Sequence, residues 1–142
     1  MLFSCKAHAR IIWDCAWLPG NDHGFVTVGR DKKLHVWDKA PGEESWVLGA
    51  ARTFHAAVTA VDVSDTGLIV LGFETGEISL LKRSDSELEM VCSVPRDICP
   101  TLTIATVQWR PGKSGVFAAC SEDNSLVLYS VEGVGGRHQN ES

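Results

Sequence analysis

His8 and Asp31 are the two side chains of this sequence whose types could serve catalysis, as a general base and the carboxylate that orients it. A pair of this kind also needs a nucleophile, and none stands in a recognisable sequence context beside either residue. The sequence therefore predicts that the chain is not an enzyme. We expect it to need no cofactor and to take no small-molecule substrate.

The cysteines and the remaining histidines predict no metal or redox site either. No Cys-x-x-Cys and no closely spaced Cys/His cluster occurs, so neither a zinc site nor a redox motif is indicated. The glycine-rich stretch 133–136 lacks the strand and the helix that flank a phosphate-binding loop. His23 and His35 are isolated, and we expect them to face solvent or to lie on the rim. The cysteines are expected to be buried free thiols in a reducing compartment; they are Cys5, Cys15, Cys92, Cys99 and Cys120.

Composition narrows the class of protein. The chain has 142 residues, of which 44% are apolar and 22% charged, and this is typical of one globular domain rather than of a disordered chain. A formal net charge of −5 argues against a dedicated nucleic-acid binder. No apolar run approaches the ~20 residues of a membrane-spanning helix, and no secretory signal is recognisable at the N-terminus.

The elements that must position His8 and Asp31 belong to a threefold internal repeat with a period near 46 residues. Within each copy, short apolar runs rich in Val, Ile, Leu and Trp alternate with turn-forming segments that contain Gly, Pro and Asp. Apolar residues do not recur with the 3.6-residue period of an amphipathic helix. The sequence therefore predicts an all-β chain. Equivalent positions are Trp17, Val63 and Trp109, each 46 residues from the next, and Asp31, Thr75 and Asp123, at spacings of 44 and 48.

The repeat resembles the WD40 repeat, because a period near 46 is combined with an early His, an Asp in a late turn and a final Trp-Asp. The resemblance implies a β-propeller, here a fragment of about three four-stranded antiparallel blades. It also implies a hydrogen-bonded structural network inside each blade. That network is complete in the first copy and partial in the others; its candidate members are His8, Thr27, Asp31, Trp37, His55 and Asp123.

The predicted domain organisation is a partial propeller over residues 1–131, followed by a flexible C-terminal tail over 132–142. We expect residues 1–5 to be the outer strand of a missing blade. The third copy has no evident fourth strand, which indicates the C-terminal piece of a longer propeller or a truncated product. The blades are placed at about 6–53, 54–95 and 101–131.

The segment Lys6–Trp17, together with Gly29–Lys32 and Val36-Trp37, is similar to the late blades of the Elongator complex subunit 2 family. This resemblance implies a non-catalytic scaffold that supports wobble-uridine modification of tRNA through protein–protein contacts. The implied partners are the large scaffold subunit and the catalytic radical-SAM/acetyltransferase subunit, with weak proximity to tRNA and no membrane. The implied location is cytoplasmic, with a nuclear pool.

A second interpretation is a WD40 adaptor that binds a peptide or a modified protein tail in signalling, chromatin or ubiquitylation. The absence of an Arg two residues after Asp38, which ubiquitin-ligase adaptors of this family use, disfavours part of that alternative. Under either interpretation we expect a partner-binding face on the first blade, which would accept an acidic peptide or a nucleic-acid backbone. Its candidate residues are Arg10, Ile11, Arg30, Lys32 and Lys33.

Overall fold

The computed structural model describes residues 1–20, 24–39, 42, 45–112 and 115–132, and over these residues the fold is all-β. Eleven strands form three antiparallel sheets in chain order. No helix long and apolar enough to cross a membrane occurs in this part of the chain. The strands are β1 Ile12–Trp17, β2 Phe25–Gly29, β3 Lys33–Lys39, β4 Trp46–Thr53, β5 Val58–Val63, β6 Leu68–Phe73, β7 Ile78–Ser84, β8 Glu87–Ser93, β9 Ile104–Trp109, β10 Val116–Ser121 and β11 Leu126–Ser130.

Each sheet is a meander, because every strand pairs with the next one along the chain. The first sheet has the order β1-β2-β3-β4 and the second has the order β5-β6-β7-β8. The third sheet has three strands, β9, β10 and β11, within the described residues. This is the predicted architecture of propeller blades. The described residues after β11 end at Glu132, so the expected lack of a fourth strand in the third blade stays a prediction.

The predictions for the N-terminal segment, the C-terminal tail and His23 are not tested by the structure. Residues 1–5 pair with no strand in the structure, so their assignment to a missing blade stays a prediction. The predicted flexible tail lies outside the described residues, apart from Glu132. His23 lies outside them as well.

Two apolar cores hold the three sheets together. The second sheet lies between the other two, and its central strand β6 is buried from Ile69 to Phe73 because both of its faces are covered. One core joins the first and second sheets around Val26, Leu34 and Phe73. The other joins the second and third sheets around Ile104 and Phe117. Burial of these large apolar side chains is the main stabilising contribution to the row of three sheets, which we call the arc.

The turns after β2, β6 and β10 each contain one residue in the left-handed region, directly after the repeat position occupied by Asp or Thr. These residues are Lys32 at φ 69°, Gly76 at φ 88° and Asn124 at φ 71°. Gly and Asn adopt this conformation readily, whereas Lys does so at a cost. The three turns lie at the same end of the sheets, which we call the upper end.

The inner strands β1, β5 and β9 are each the free edge of their sheet, and an edge strand leaves backbone amides without a ladder partner. Aspartates of the preceding blade accept two of these bonds. The Asp14 carboxylate accepts the Val61 amide at 3.0 Å, and the Asp62 carboxylate accepts the Trp109 amide at 2.7 Å. Both bonds join residues 47 apart and therefore connect consecutive blades.

The cysteines are less buried than predicted. All five are free thiols, but Cys5 and Cys15 are exposed and none is fully buried. Cys15 is an exposed residue of the edge strand β1, whereas the prediction of burial rested only on how often cysteine side chains lie in protein interiors. Among the described residues, no group of His, Cys, Asp and Glu side chains could hold a metal ion.

Candidate protein-interaction site

The first blade contains a continuous chain of side-chain hydrogen bonds that begins at Trp37. The Trp37 indole N–H donates to the Thr27 hydroxyl oxygen at 3.0 Å. The Thr27 hydroxyl lies 2.7 Å from His8 Nε2, and His8 Nδ1 lies 2.8 Å from an Asp31 carboxylate oxygen. Because Thr27 already accepts from Trp37, its own proton is directed to His8 Nε2, and His8 then donates from Nδ1 to Asp31.

The two ionisable side chains of this network are largely shielded from solvent. The His8 side chain is 0% exposed and that of Asp31 is 8% exposed. Burial acts to raise the pKa of Asp31, but the hydrogen bond from His8 and those from the amides of Lys33 and Ala9 outweigh it and hold the pKa below its ordinary value. Because both imidazole nitrogens are engaged in this network, His8 holds the turn that contains Asp31.

His35 is part of the same packing, so the expectation that it is an isolated residue facing solvent or on the rim is wrong. Its ring stacks on His8 with 4.2 Å between ring centroids, and its Nδ1 donates to the Ala7 carbonyl at 2.9 Å. Burial, reinforced by the neighbouring His8, lowers the pKa of His35. His35 therefore stabilises the segment that carries His8 into the blade.

In the second blade a different group holds the equivalent turn. His55 Nε2 lies 2.8 Å from Glu77 Oε1, and the Thr75 hydroxyl donates to the same oxygen at 2.7 Å. The His55 side chain is 64% exposed, so it caps the turn from outside instead of joining a buried network. The hydrogen bond from His55 lowers the pKa of Glu77.

In the third blade Asp123 holds the turn without a histidine. Its carboxylate accepts the amide and the hydroxyl of Thr101 at 2.9 and 3.1 Å. It also accepts the amide of Ser125 at 2.9 Å, and the Ser125 hydroxyl donates to the same oxygen. These bonds, led by the one from the Ser125 hydroxyl, place the pKa of Asp123 well below its ordinary value.

The structure brings together part of the predicted partner-binding face. Arg10, Arg30 and Lys32 line one cleft of about 420 Å³ at the upper end of the first blade, together with Ala9 and Asp31. We call these residues, with the adjacent exposed Lys33, the basic surface. Ile11 is 58% exposed beside it and does not line the cleft. The basic surface is a concave cationic site that suits an acidic segment.

Sequence reasoning missed a second cleft, which three β-bulges create. The pairing of each inner strand shifts by one residue near its start: between Ile12 and Asp14, between Val58 and Ala60, and opposite Cys120 and Ser121. A bulge re-aims the extra side chain away from the sheet face. The residues at these shifts, 46 apart along the chain, all line one cleft of about 420 Å³; they are Trp13, Thr59 and Ala105.

Comparison with known protein families identifies the repeat. The WD40 family (WD domain, G-beta repeat) matches residues 1–38. The crystal structure of the WD40 beta propeller domain of Doa1 superposes with a TM-score of 0.69, over 88% of this chain and 39% of that chain. At 15% sequence identity, this likeness shows the fold alone.

Comparison with curated proteins finds several named Elongator complex protein 2. The protein from Saccharomyces cerevisiae is 36% identical over 89% of this chain, that from Drosophila melanogaster is 32% identical over 88%, and that from Homo sapiens is 28% identical over 89%. This chain spans 17% of the yeast and fly proteins and 19% of the human protein, which is about a sixth of their length.

Proposed function

We propose that this chain, whose residues 1–38 match the WD40 family, acts as a non-catalytic scaffold in an Elongator complex, where it supports wobble-uridine modification of tRNA through protein–protein contacts. The observation that carries the proposal is the 36% identity to Elongator complex protein 2 of Saccharomyces cerevisiae over 89% of this chain. The buried His8–Asp31 pair supports a structural role in place of catalysis. A cytoplasmic location with a nuclear pool is part of the same proposal.

We further propose that additional propeller blades cover the two end faces of the arc. On the first sheet, Trp17 is 70% exposed, although it packs edge-on against Phe25 and Trp46. On the third sheet, Leu126 and Leu128 are 67% and 69% exposed. Large apolar side chains presented by a flat sheet face are typical of an interface between blades. The 39% share of the Doa1 propeller that this chain matches supports this proposal.

Within the assembly, the basic surface is proposed to bind an acidic segment of a partner subunit. Three cations around one cleft outnumber its single aspartate, Asp31, and lower the free energy of a bound carboxylate. The proposed partners are the large scaffold subunit and the catalytic radical-SAM/acetyltransferase subunit.

Affinity purification of the tagged chain from its own cells tests the proposal. We expect the large scaffold and radical-SAM/acetyltransferase subunits among the copurifying proteins. Their absence, with signalling, chromatin or ubiquitin-ligase proteins in their place, would instead support the WD40 adaptor function.

Charge reversal tests the role of the basic surface separately. The variant Arg10→Glu/Arg30→Glu/Lys32→Glu/Lys33→Glu is expected to lose partner binding and its salt dependence. The matched control reverses Lys82, an exposed cation at the opposite end of the second blade, and should leave binding unchanged. Copurification of the partner subunits that is retained after nuclease treatment would contradict a nucleic-acid backbone as the ligand.

A further inference from the structure

The cleft made by the three bulges, which we call the bulge cup, has a composition opposite to that of the basic surface. Its wall is the Trp13 indole, which is 42% exposed. Its rim carries Glu74 and Glu122, both exposed, from the β6–β7 and β10–β11 turns. Within the described part of the chain, neither carboxylate has an ion-pair or hydrogen-bond partner. The cup therefore combines an aromatic face with two uncompensated negative charges.

Thr103 fixes the two glutamates relative to each other. Its hydroxyl donates to the Glu74 carbonyl at 3.0 Å, and its own carbonyl accepts the Glu122 amide at 2.9 Å. The Glu74 amide in turn donates to the Ala57 carbonyl at 3.1 Å. The backbones that carry both carboxylates are thus held in place, so the cup is organised before a ligand arrives.

We propose that the bulge cup binds an arginine side chain of a basic segment of a protein partner. A guanidinium stacks on an indole face through cation–π attraction, and its planar set of donors suits two carboxylates. The negative sign of the rim disfavours a phosphate backbone in the cup. A cup of about 420 Å³ is large enough for the guanidinium and its methylene stem.

The position of the cup is consistent with a partner that crosses the upper end. The basic surface and the bulge cup both lie there, one on the first blade and the other where the three inner strands meet. A segment with an arginine in the cup and acidic residues over the basic surface would satisfy both sites in a single orientation. This inference deepens the scaffold role proposed above, but it does not depend on which complex contains the chain.

Fluorescence anisotropy of a labelled peptide that alternates arginine and glycine tests the proposal on the full chain. We expect saturable binding to the wild-type chain at low salt. In the variant Glu74→Gln/Glu122→Gln, which removes two charges from exposed positions, the affinity should fall roughly tenfold or more. The single change Trp13→Phe keeps an aromatic face and should weaken binding by a smaller factor.

The control is the pair Glu87→Gln/Glu89→Gln on β8, which removes the same charge from exposed positions outside the cup and should leave the affinity unchanged. A peptide with citrulline in place of arginine should not bind, and a lysine peptide should bind more weakly. Equal weakening by the β8 pair, binding of the citrulline peptide, or equal affinity for lysine would overturn the assignment. Copurification of partner subunits is a separate measurement, so failure of the cup and failure of the Elongator proposal can be distinguished.

Discussion

The Asp62 carboxylate accepts the backbone amide of Trp109 at 2.7 Å, and this bond joins the inner strand of the second blade to that of the third. The Trp109 indole N–H also donates, at 3.3 Å, to the Asp62 carbonyl. The pair therefore satisfies an amide on the free edge of β9 with a side chain from β5.

Replacing Asp62 with Ala should lower the free energy of unfolding by about 1–3 kcal/mol, because the Trp109 amide loses its acceptor. Asp62→Asn keeps an acceptor oxygen and should cost less. The control Asp65→Ala removes an exposed carboxylate from the following loop and should have little effect. Urea denaturation measures all three, and equal losses for Asp62→Ala and Asp65→Ala would contradict the role of the bond.

Replacing Thr27 with Val should destabilise the first blade by about 1–3 kcal/mol, since the Trp37 indole N–H loses its acceptor and His8 Nε2 loses its donor. Thr27→Ser keeps the hydroxyl and should retain most of the stability. Thr53→Val, on the exposed end of β4, is the matched control. Near-ultraviolet circular dichroism of the tryptophans during denaturation reports the change. Equal stability of the Val and Ser variants would show that the hydroxyl network contributes little.

Alkaline pH should destabilise the fold through Tyr129, the single tyrosine of the chain. Burial, reinforced by the nearby charges of Cys99 and Asp123, raises the pKa of Tyr129 to about 12, and its hydroxyl donates to the Ile98 carbonyl at 2.5 Å. In the unfolded chain the pKa is about 10. Between these two values the unfolded state loses the proton first, so stability declines as the pH rises through this window.

Phenolate absorbance of the native protein should therefore titrate near pH 12, and that of the urea-unfolded protein near pH 10. The variant Tyr129→Phe should remove this component of the alkaline destabilisation. A native titration near pH 10 would show that the hydroxyl is accessible to water.

Replacing Gly72 with Ala should loosen the contact between the second and third blades. A Cβ at this position would lie 2.4 Å from Ile104 Cγ2 and 2.6 Å from Ile104 Cβ, which forces a shift that costs about 1–3 kcal/mol. In an Ile104→Ala background the added cost should shrink but not vanish, because Ile104 Cγ2 is gone while the Cβ remains. The control background Val26→Ala lies in the other core and should give additive losses. A double-mutant cycle by chemical denaturation measures the coupling, and additivity in both backgrounds would contradict the contact.

The sheets were predictable because strand patterning and turn chemistry repeat along the chain. The apolar runs around Leu34 and Leu126 fall in β3 and β11, and the run from Ile12 to Trp17 is β1. The match of residues 1–38 to the WD40 family and the superposition on the Doa1 propeller confirm the predicted WD40 fold. Apolar patterning and turn residues are local features of the sequence, so they predict the strands without knowledge of how the sheets pack together.

The bulge cup was not predictable from the same signals. A bulge changes the register by one residue without a distinctive composition, so nothing in the sequence distinguishes Trp13 from an ordinary residue of β1. The stacking of His35 on His8 and the pairing of His55 with Glu77 were missed for a related reason. Both depend on where neighbouring strands place side chains that are distant in sequence.

The bonds from Asp14 to Val61 and from Asp62 to Trp109 run in one direction around the arc, since the acceptor always comes from the earlier blade. Through these two bonds each later inner strand depends on a carboxylate of the blade before it. Deletion of the first repeat would remove the acceptor of the Val61 amide, whereas deletion of the third would remove a different acceptor, the Ile104 carbonyl that binds the Thr59 hydroxyl. The three blades are similar in shape but not interchangeable in order.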